Sequence, residues 1–185
     1  SSAHNFTMLM AASVGGLLSV VQEIITYSDV KASVHLGHRQ AGFTALTYAC
    51  NKGCVDIARV LLEARSDPNI ANGKRKTPIM YAARGGHTQC VALLLKWASE
   101  TNARDDEGVS ALMVAAHGGH EMCIRALLDA HANPNARSAK GLSALAYAVG
   151  GGHLMCIRAL IDAHADPNSA ENDCFSALMR TAIFG

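Results

Sequence analysis

Apolar and polar positions follow one pattern along the chain, and the pattern recurs at a fixed interval. Residues 109–135 read VSALMVAAHGGHEMCIRALLDAHANPN, and residues 142–168, which begin 33 positions later, read LSALAYAVGGGHLMCIRALIDAHADPN. Each stretch has a short apolar segment, a Gly-Gly break and a second apolar segment with helical spacing, which predicts two short helices per unit. A period of this length is typical of stacked-repeat proteins, whose units bury their apolar faces against one another.

The unit that begins at Ser110 shows how each helix is expected to start and end. The serine hydroxyl can accept a hydrogen bond from an unpaired amide of the first helical turn, and the glycines at 118–119 end that helix. The second helix is predicted to end near residue 130, and segment 136–142 to form an extended finger with Gly141 at its turn. Its buried face recurs at i, i+1, i+4 and i+5, at Cys123, Ile124, Leu127 and Leu128.

The same register extends over nearly the whole chain. Each unit starts at a Thr or Ser, at Thr7, Thr44, Thr77, Ser110, Ser143 and Ser176. The predicted repeats are about 5–41, 42–74, 75–107, 108–140 and 141–173, with a partial repeat at 174–185. The first unit carries extra residues near 29–40, so its finger is expected to be longer and irregular. Because the last unit stops before its second helix, we expect the natural protein to continue beyond Gly185.

These units resemble the ankyrin repeat. The third unit matches that family's pattern at Thr77-Pro78, Gly86-His87, Val91 with Leu94-Leu95, and Asn102, and the resemblance covers about residues 7–185. It implies an all-α solenoid of stacked helix-turn-helix units with β-hairpin-like fingers.

The chain departs from the family's pattern at two positions. The histidine of the first helix is replaced at Met10, Thr47, Met80, Met113, Ala146 and Met179, so its hydrogen bonds must be replaced or lost. The glycine that ends the second helix is replaced at Arg65, Ala98, His131 and His164. Because a left-handed non-glycine residue costs on the order of 1 kcal/mol, we expect these helices to end in another way.

Composition is consistent with a packed domain and excludes few functions. Half of the residues are apolar and 17% are charged, so the chain can bury a core. The net charge of +1 provides no general attraction to nucleic acid or anionic membranes. No apolar run approaches the roughly 20 residues of a membrane span. We therefore predict a monomer that binds neither nucleic acid nor membrane through this segment.

The six cysteines are interpreted as thiols. Cys90, Cys123 and Cys156 hold one position in three successive units. Stacked helices lie about 8–10 Å apart, whereas a disulfide needs Cα atoms within about 7 Å. We predict that these residues belong to the core of a cytoplasmic protein, with the nucleus as the alternative compartment.

Catalytic and metal-binding patterns are lacking in the sequence. Gly73-Lys74 is followed by Arg75 and is therefore no nucleotide loop. His87, His120 and His153 recur one per unit, too far apart to ligate one ion at about 2.0–2.1 Å. The resemblance gives these histidines a structural role at the turn between helices. We predict no catalytic activity, no cofactor and no metal.

In ankyrin proteins, fingers and first helices line a concave groove that binds partners. Tyrosine and arginine, which dominate interface energetics, recur at these positions. We name the predicted set the groove residues: Phe43, Tyr48, Asn51, Lys52, Lys74, Lys76, Tyr81, Arg84, Val109, Val114, His117, Leu142 and Tyr147. The alternative is that the tyrosines only pack between repeats. Trp97 is a second contact point or a packing plug.

Charge is uneven along these positions. The early part is basic, whereas Glu100 and residues 105–107 make the next finger acidic, which favours a partner acidic at one end and apolar toward the other. Lys74-Arg75-Lys76 is a solvated finger tip, a contact for an acidic partner or part of a nuclear-import signal.

The predicted function is a protein-interaction module, or scaffold, that binds a protein or peptide partner. Two alternatives stay open. The segment is the regulatory or targeting part of a larger enzyme or channel, or it is a host-directed effector. Sequence outside residues 1–185 would separate the first alternative from the simple module.

Overall fold

The computed structural model describes residues 8–27 and 42–167. These ranges contain ten helices: α1 Met8–Val14, α2 Leu18–Tyr27, α3 Ala45–Lys52, α4 Val55–Glu63, α5 Pro78–Arg84, α6 Thr88–Lys96, α7 Ala111–His117, α8 Glu121–Asp129, α9 Ala144–Gly150 and α10 Leu154–Asp162. They confirm the prediction of two short helices per unit. The longer first finger and the partial last unit were predicted for residues that lie outside these ranges.

The helices form two layers. Odd-numbered helices pack against one another in sequence from α1 to α9, even-numbered helices do the same from α2 to α10, and each odd helix also contacts the even helix that follows it. The fold is therefore an all-α repeat solenoid, as predicted. The longest described helix, α2, has 10 residues, and none of the described helices could cross a bilayer.

The fingers connect an even-numbered helix to the next odd-numbered one. Antiparallel bridges join Arg104 to Ser110 and Arg137 to Ser143, which gives these fingers their hairpin-like form. Neighbouring fingers are also tied together, because the amide of Asp106 donates to the carbonyl of Lys74 at 3.2 Å. The amide of Ala139 donates to the carbonyl of Glu107 in the same way, so backbone hydrogen bonds link three successive described fingers.

The starts of α3, α5, α7 and α9 show what becomes of the hydrogen bonds of the missing family histidine. Thr44 and Thr47 form a reciprocal capping box at α3, and Ser110 and Ser143 accept amide hydrogen bonds at α7 and α9. At α5, the buried Thr77 Oγ1 has no partner among the described residues. The hydrogen bonds are thus replaced in one unit by Thr47 and lost in the unit that begins at Thr77.

The core lies between the two helix layers. Cys90, Cys123 and Cys156 are buried in it, which confirms their predicted place. Cys174 lies outside the described residues. Interaction with the Cys90 thiol of the next unit, together with burial, raises the pKa of Cys50. The largest fully buried side chains include Leu46, Leu61, Leu62, Ile79, Leu94, Leu112, Met113, Ile124, Leu127 and Leu145.

The expectation that the even-numbered helices end differently from family members was wrong. Arg65, Ala98, His131 and His164 all adopt left-handed conformations, with φ of 68°, 58°, 61° and 60°. An asparagine of the preceding unit stabilises three of these turns: Asn69 Nδ2 donates to the carbonyl of Ala98 at 3.2 Å. Asn102 and Asn135 do the same for His131 and His164. These hydrogen bonds offset the cost of the left-handed residue and link adjacent units.

Candidate functional site

The groove residues all come from fingers and odd-numbered helices, and none is fully buried. Those with exposed side chains are Asn51, Lys52, Lys74, Arg84 and His117. Those that are half-buried are Phe43, Tyr48, Lys76, Tyr81, Val109, Val114, Leu142 and Tyr147. The half-buried members pack at one end and present the other to solvent.

Three aromatic residues form a cluster across two units. The ring centroid of Phe43 lies 5.1 Å from that of Tyr48 on α3 and 4.9 Å from that of Tyr81 on α5. The same rings therefore pack between repeats and are partly exposed on the surface. At the other end of the row, His117 and Tyr147 meet edge to face with centroids 5.8 Å apart.

Asn72 fixes the finger that precedes α5. Its Oδ1 accepts from the amides of Lys74 at 3.0 Å and Lys76 at 2.9 Å, and its Nδ2 donates to Tyr81 Oη at 2.9 Å. Burial raises the pKa of Tyr81, while the hydrogen bond from Asn72 partly opposes the shift. Sequence reasoning missed Asn72, although an asparagine before Gly73 is a turn signal.

Asp105 has the same position in the next finger. It is buried, and its Oδ1 accepts from the amides of Glu107 at 3.0 Å and Val109 at 2.8 Å. Its Oδ2 lies 3.6 Å from Lys76 Nζ. Lys76 is therefore neutralised within the protein. The other early cations, Lys52, Lys74, Arg75 and Arg84, are more exposed.

The recurring histidines position the ends of the odd-numbered helices. The Nε2 atoms of His87, His120 and His153 lie 3.3, 3.1 and 3.1 Å from main-chain carbonyl oxygens of the preceding unit. Those carbonyls belong to three groove residues, Asn51, Arg84 and His117. The structural role predicted for the histidines is confirmed. Each ring binds the end of an odd-numbered helix that carries groove side chains.

A small pocket opens between two fingers on this face. Its volume is about 90 Å³, and its lining combines Met80, Val109 and Val114 with the charged side chains of Arg84 and Glu107. Glu107 and Asp106 are exposed, so this finger is acidic beside a basic neighbour, in agreement with the predicted unevenness of charge.

Sequence reasoning missed apolar side chains on the even-numbered helices. Met122, Leu154, Met155 and Ile161 are 61%, 78%, 52% and 48% exposed. Because their helical spacing resembles that of core residues, only the structure shows that these side chains are exposed. Trp97 is 41% exposed, so part of its side chain is available as a contact point.

The described residues contain no group of three histidine, cysteine or acidic side chains that could hold a metal ion. What the groove residues offer is contact area: packed aromatic rings, exposed cations and an apolar pocket. This combination is suited to recognition of another macromolecule.

Comparison with known proteins agrees with the geometry. A family model described as ankyrin repeats in three copies matches residues 2–72 and 64–138, and a single ankyrin repeat model matches residues 140–172. A search among curated proteins found no significant match. Ankyrin repeats are generally protein–protein interaction modules. The matched segments span most of the sequence, and the chain belongs to the ankyrin repeat family.

Proposed function

We propose that this chain is a non-catalytic interaction module that binds a protein partner through the groove residues. The observation that carries the proposal is the cluster of Phe43, Tyr48 and Tyr81, whose rings are in contact yet half-exposed, beside the exposed Arg84. Aromatic and arginine side chains are the residue types most enriched at interface hot spots.

Preorganisation strengthens the proposal. Binding usually costs about 0.5–1.5 kcal/mol for each flexible side chain that becomes ordered. Here Tyr81 is held by Asn72 and by Phe43 before any partner arrives, and the helix end at Arg84 is held by His120. The aromatic rings are therefore ordered before binding, whereas the exposed Arg84 side chain still has to become ordered.

The proposal places the protein as a monomer in the cytoplasm or nucleus. Buried free thiols at Cys50, Cys90, Cys123 and Cys156 are suited to a reducing compartment. The same surface would serve a freestanding scaffold or a domain within a longer protein.

The test is affinity capture from the source cell with three forms of the chain. The wild type is compared with the double variant Tyr81→Ala/Arg84→Ala and with Arg59→Ala, a control on an exposed position of α4. We expect the wild type and the control to retain the same proteins, and the double variant to bind them with affinity lower by about 1 kcal/mol or more. Equal retention by all three forms would contradict binding through the groove residues.

A further inference from the structure

The pocket between the fingers exists because a row of tyrosines is interrupted. Tyr48, Tyr81 and Tyr147 occupy equivalent positions on α3, α5 and α9, and on α7 that position is Val114. Valine lacks the ring, and the pocket of about 90 Å³ lies beside it. Among α3, α5, α7 and α9, the gap is therefore specific to α7.

The lining combines an apolar part with the Tyr81 side chain and four charged residues. Met80 and Val109 continue the apolar surface of Val114. Lys76 and Asp105 also border the pocket, but they pair with each other at 3.6 Å. Arg84 on α5 and Glu107 on the finger, in contrast, form no ion pair with any described residue.

We infer that this pocket takes an aliphatic side chain from an extended segment of a partner protein, and that an acidic residue next to it pairs with Arg84. This inference rests on the proposed function and names the chemistry of the partner. A cavity of about 150 Å³ holds a benzene ring. The smaller pocket, of about 90 Å³, therefore favours a leucine, isoleucine, valine or methionine over an aromatic residue.

The charges around the pocket determine which residue is expected next to the aliphatic side chain of the partner. An arginine guanidinium can bind a carboxylate through two parallel hydrogen bonds, and the exposed Lys52 and Lys74 add positive charge on the same face. Asp106 and Glu107 repel an acidic group placed over the finger. The acidic residue of the partner is therefore directed toward Arg84, which gives the segment an orientation.

Selection from a display library of random linear peptides on the full chain tests the inference. We expect the enriched peptides to share an aliphatic residue beside an Asp or Glu. Val114→Tyr should fill the pocket and lower the affinity for these peptides by about tenfold or more. The substitution restores the residue found at three equivalent positions, so the fold should be retained, with an unchanged circular dichroism spectrum as the check. With Arg84→Glu, a new selection should enrich Lys or Arg in place of the acidic residue.

The failures of the two proposals are distinguishable. Peptides that lack the aliphatic–acidic pair, or that bind Val114→Tyr and wild type equally, overturn the inference. If Phe43→Ala or Tyr147→Ala still weakens binding of such peptides, the proposed function is retained and only the role of the pocket is rejected. If no groove substitution weakens any selected peptide, both fall. Concentration-dependent association of the chain with itself, lost in Val114→Tyr, would assign the pocket to a second copy and overturn the inference.

Discussion

The imidazole of His120 donates a hydrogen bond from Nε2 to the carbonyl oxygen of Arg84, 3.1 Å away in the preceding unit. A carbonyl oxygen can only accept, so Nε2 carries the hydrogen. The acceptor is one of the unpaired carbonyls at the end of α5, and the bond therefore satisfies a helix terminus and links two units at once. It also places the main chain of a groove residue relative to the repeat that follows.

The close fit of this ring against glycine leads to the first prediction. A Cβ added at Gly86 would lie 2.6 Å from His120 Nδ1, whereas at Gly16 the nearest described atom would be Cys54 Sγ at 3.9 Å, and φ is +69° and +70° at the two glycines. Both alanine variants therefore incur the left-handed penalty of roughly 1–2 kcal/mol, and Gly86→Ala also displaces the ring. Urea unfolding should show Gly86→Ala less stable than Gly16→Ala by about 1 kcal/mol or more.

Equal destabilisation of the two variants would show that the histidine contact contributes little to stability. His120→Ala provides an independent check. Loss of one hydrogen bond and of the ring contacts should lower the free energy of unfolding by about 1 kcal/mol.

The second prediction concerns the left-handed residue after α6. Ala98 has φ of 58°. Glycine there would relieve roughly 1–2 kcal/mol of strain and lose about 0.5–1 kcal/mol through greater freedom of the unfolded chain. Ala98→Gly should therefore stabilise the protein by about 0.5 kcal/mol or more in urea unfolding.

An exposed mid-helix position provides the control for that substitution. Ala92→Gly on α6 should destabilise the protein by about 1 kcal/mol, because glycine is a poor helix former. A loss of stability in Ala98→Gly would contradict the strain assigned to the left-handed turns.

The third prediction separates the hydrogen bonds of Asp105 from its charge. Alanine leaves two finger amides without their acceptor and should cost about 1–3 kcal/mol. Asparagine keeps an acceptor and should cost less than about 1 kcal/mol, because Asn72 makes equivalent bonds in the preceding finger. Thermal unfolding of both variants measures the difference. Similar losses would assign the stabilisation to the ion pair with Lys76.

The fourth prediction is a fall in stability at alkaline pH. Burial raises the pKa of Cys123 and Cys156. Thiols of the unfolded chain have a pKa of about 8.5. A folded pKa above the unfolded one contributes stability that is present below the unfolded pKa and is lost as pH rises through the folded pKa. The free energy of unfolding, measured by urea in reducing buffer, should therefore fall from about pH 8.5 upward.

Cys123→Ala is the control for this effect. The variant should be less stable at neutral pH, because it leaves a cavity, but its stability should fall less steeply with pH. A slope identical to that of the wild type would show that the Cys123 thiol does not contribute to the pH dependence.

The repeat pattern predicted the helices because their start and stop signals are local. Ser110 and Ser143 cap their helices where the sequence indicated, and Gly118-Gly119 follows the last residue of α7. The accessible positions on fingers and odd-numbered helices were also predictable, because a 33-residue period fixes which side of each helix faces the fingers.

Local sequence signals did not predict the contacts between units. The asparagine bond from Asn69 to Ala98 spans 29 residues, and it makes a left-handed alanine acceptable where local propensity argues against it.

The pocket was likewise only partly predictable from the sequence. The difference between Val114 and Tyr147 was visible in the sequence. The pocket that this difference creates also required the packing of Met80 and Val109, which no local signal reports.

Site-specific photocrosslinking asks whether the groove residues contact a protein partner. A photoreactive amino acid is placed at Lys74, an exposed groove position, and separately at Gln89, an exposed position on α6. After irradiation in cells that make the protein, we predict a covalent protein adduct from position 74 and none from position 89. Adducts formed only from position 89 would contradict binding through the groove residues.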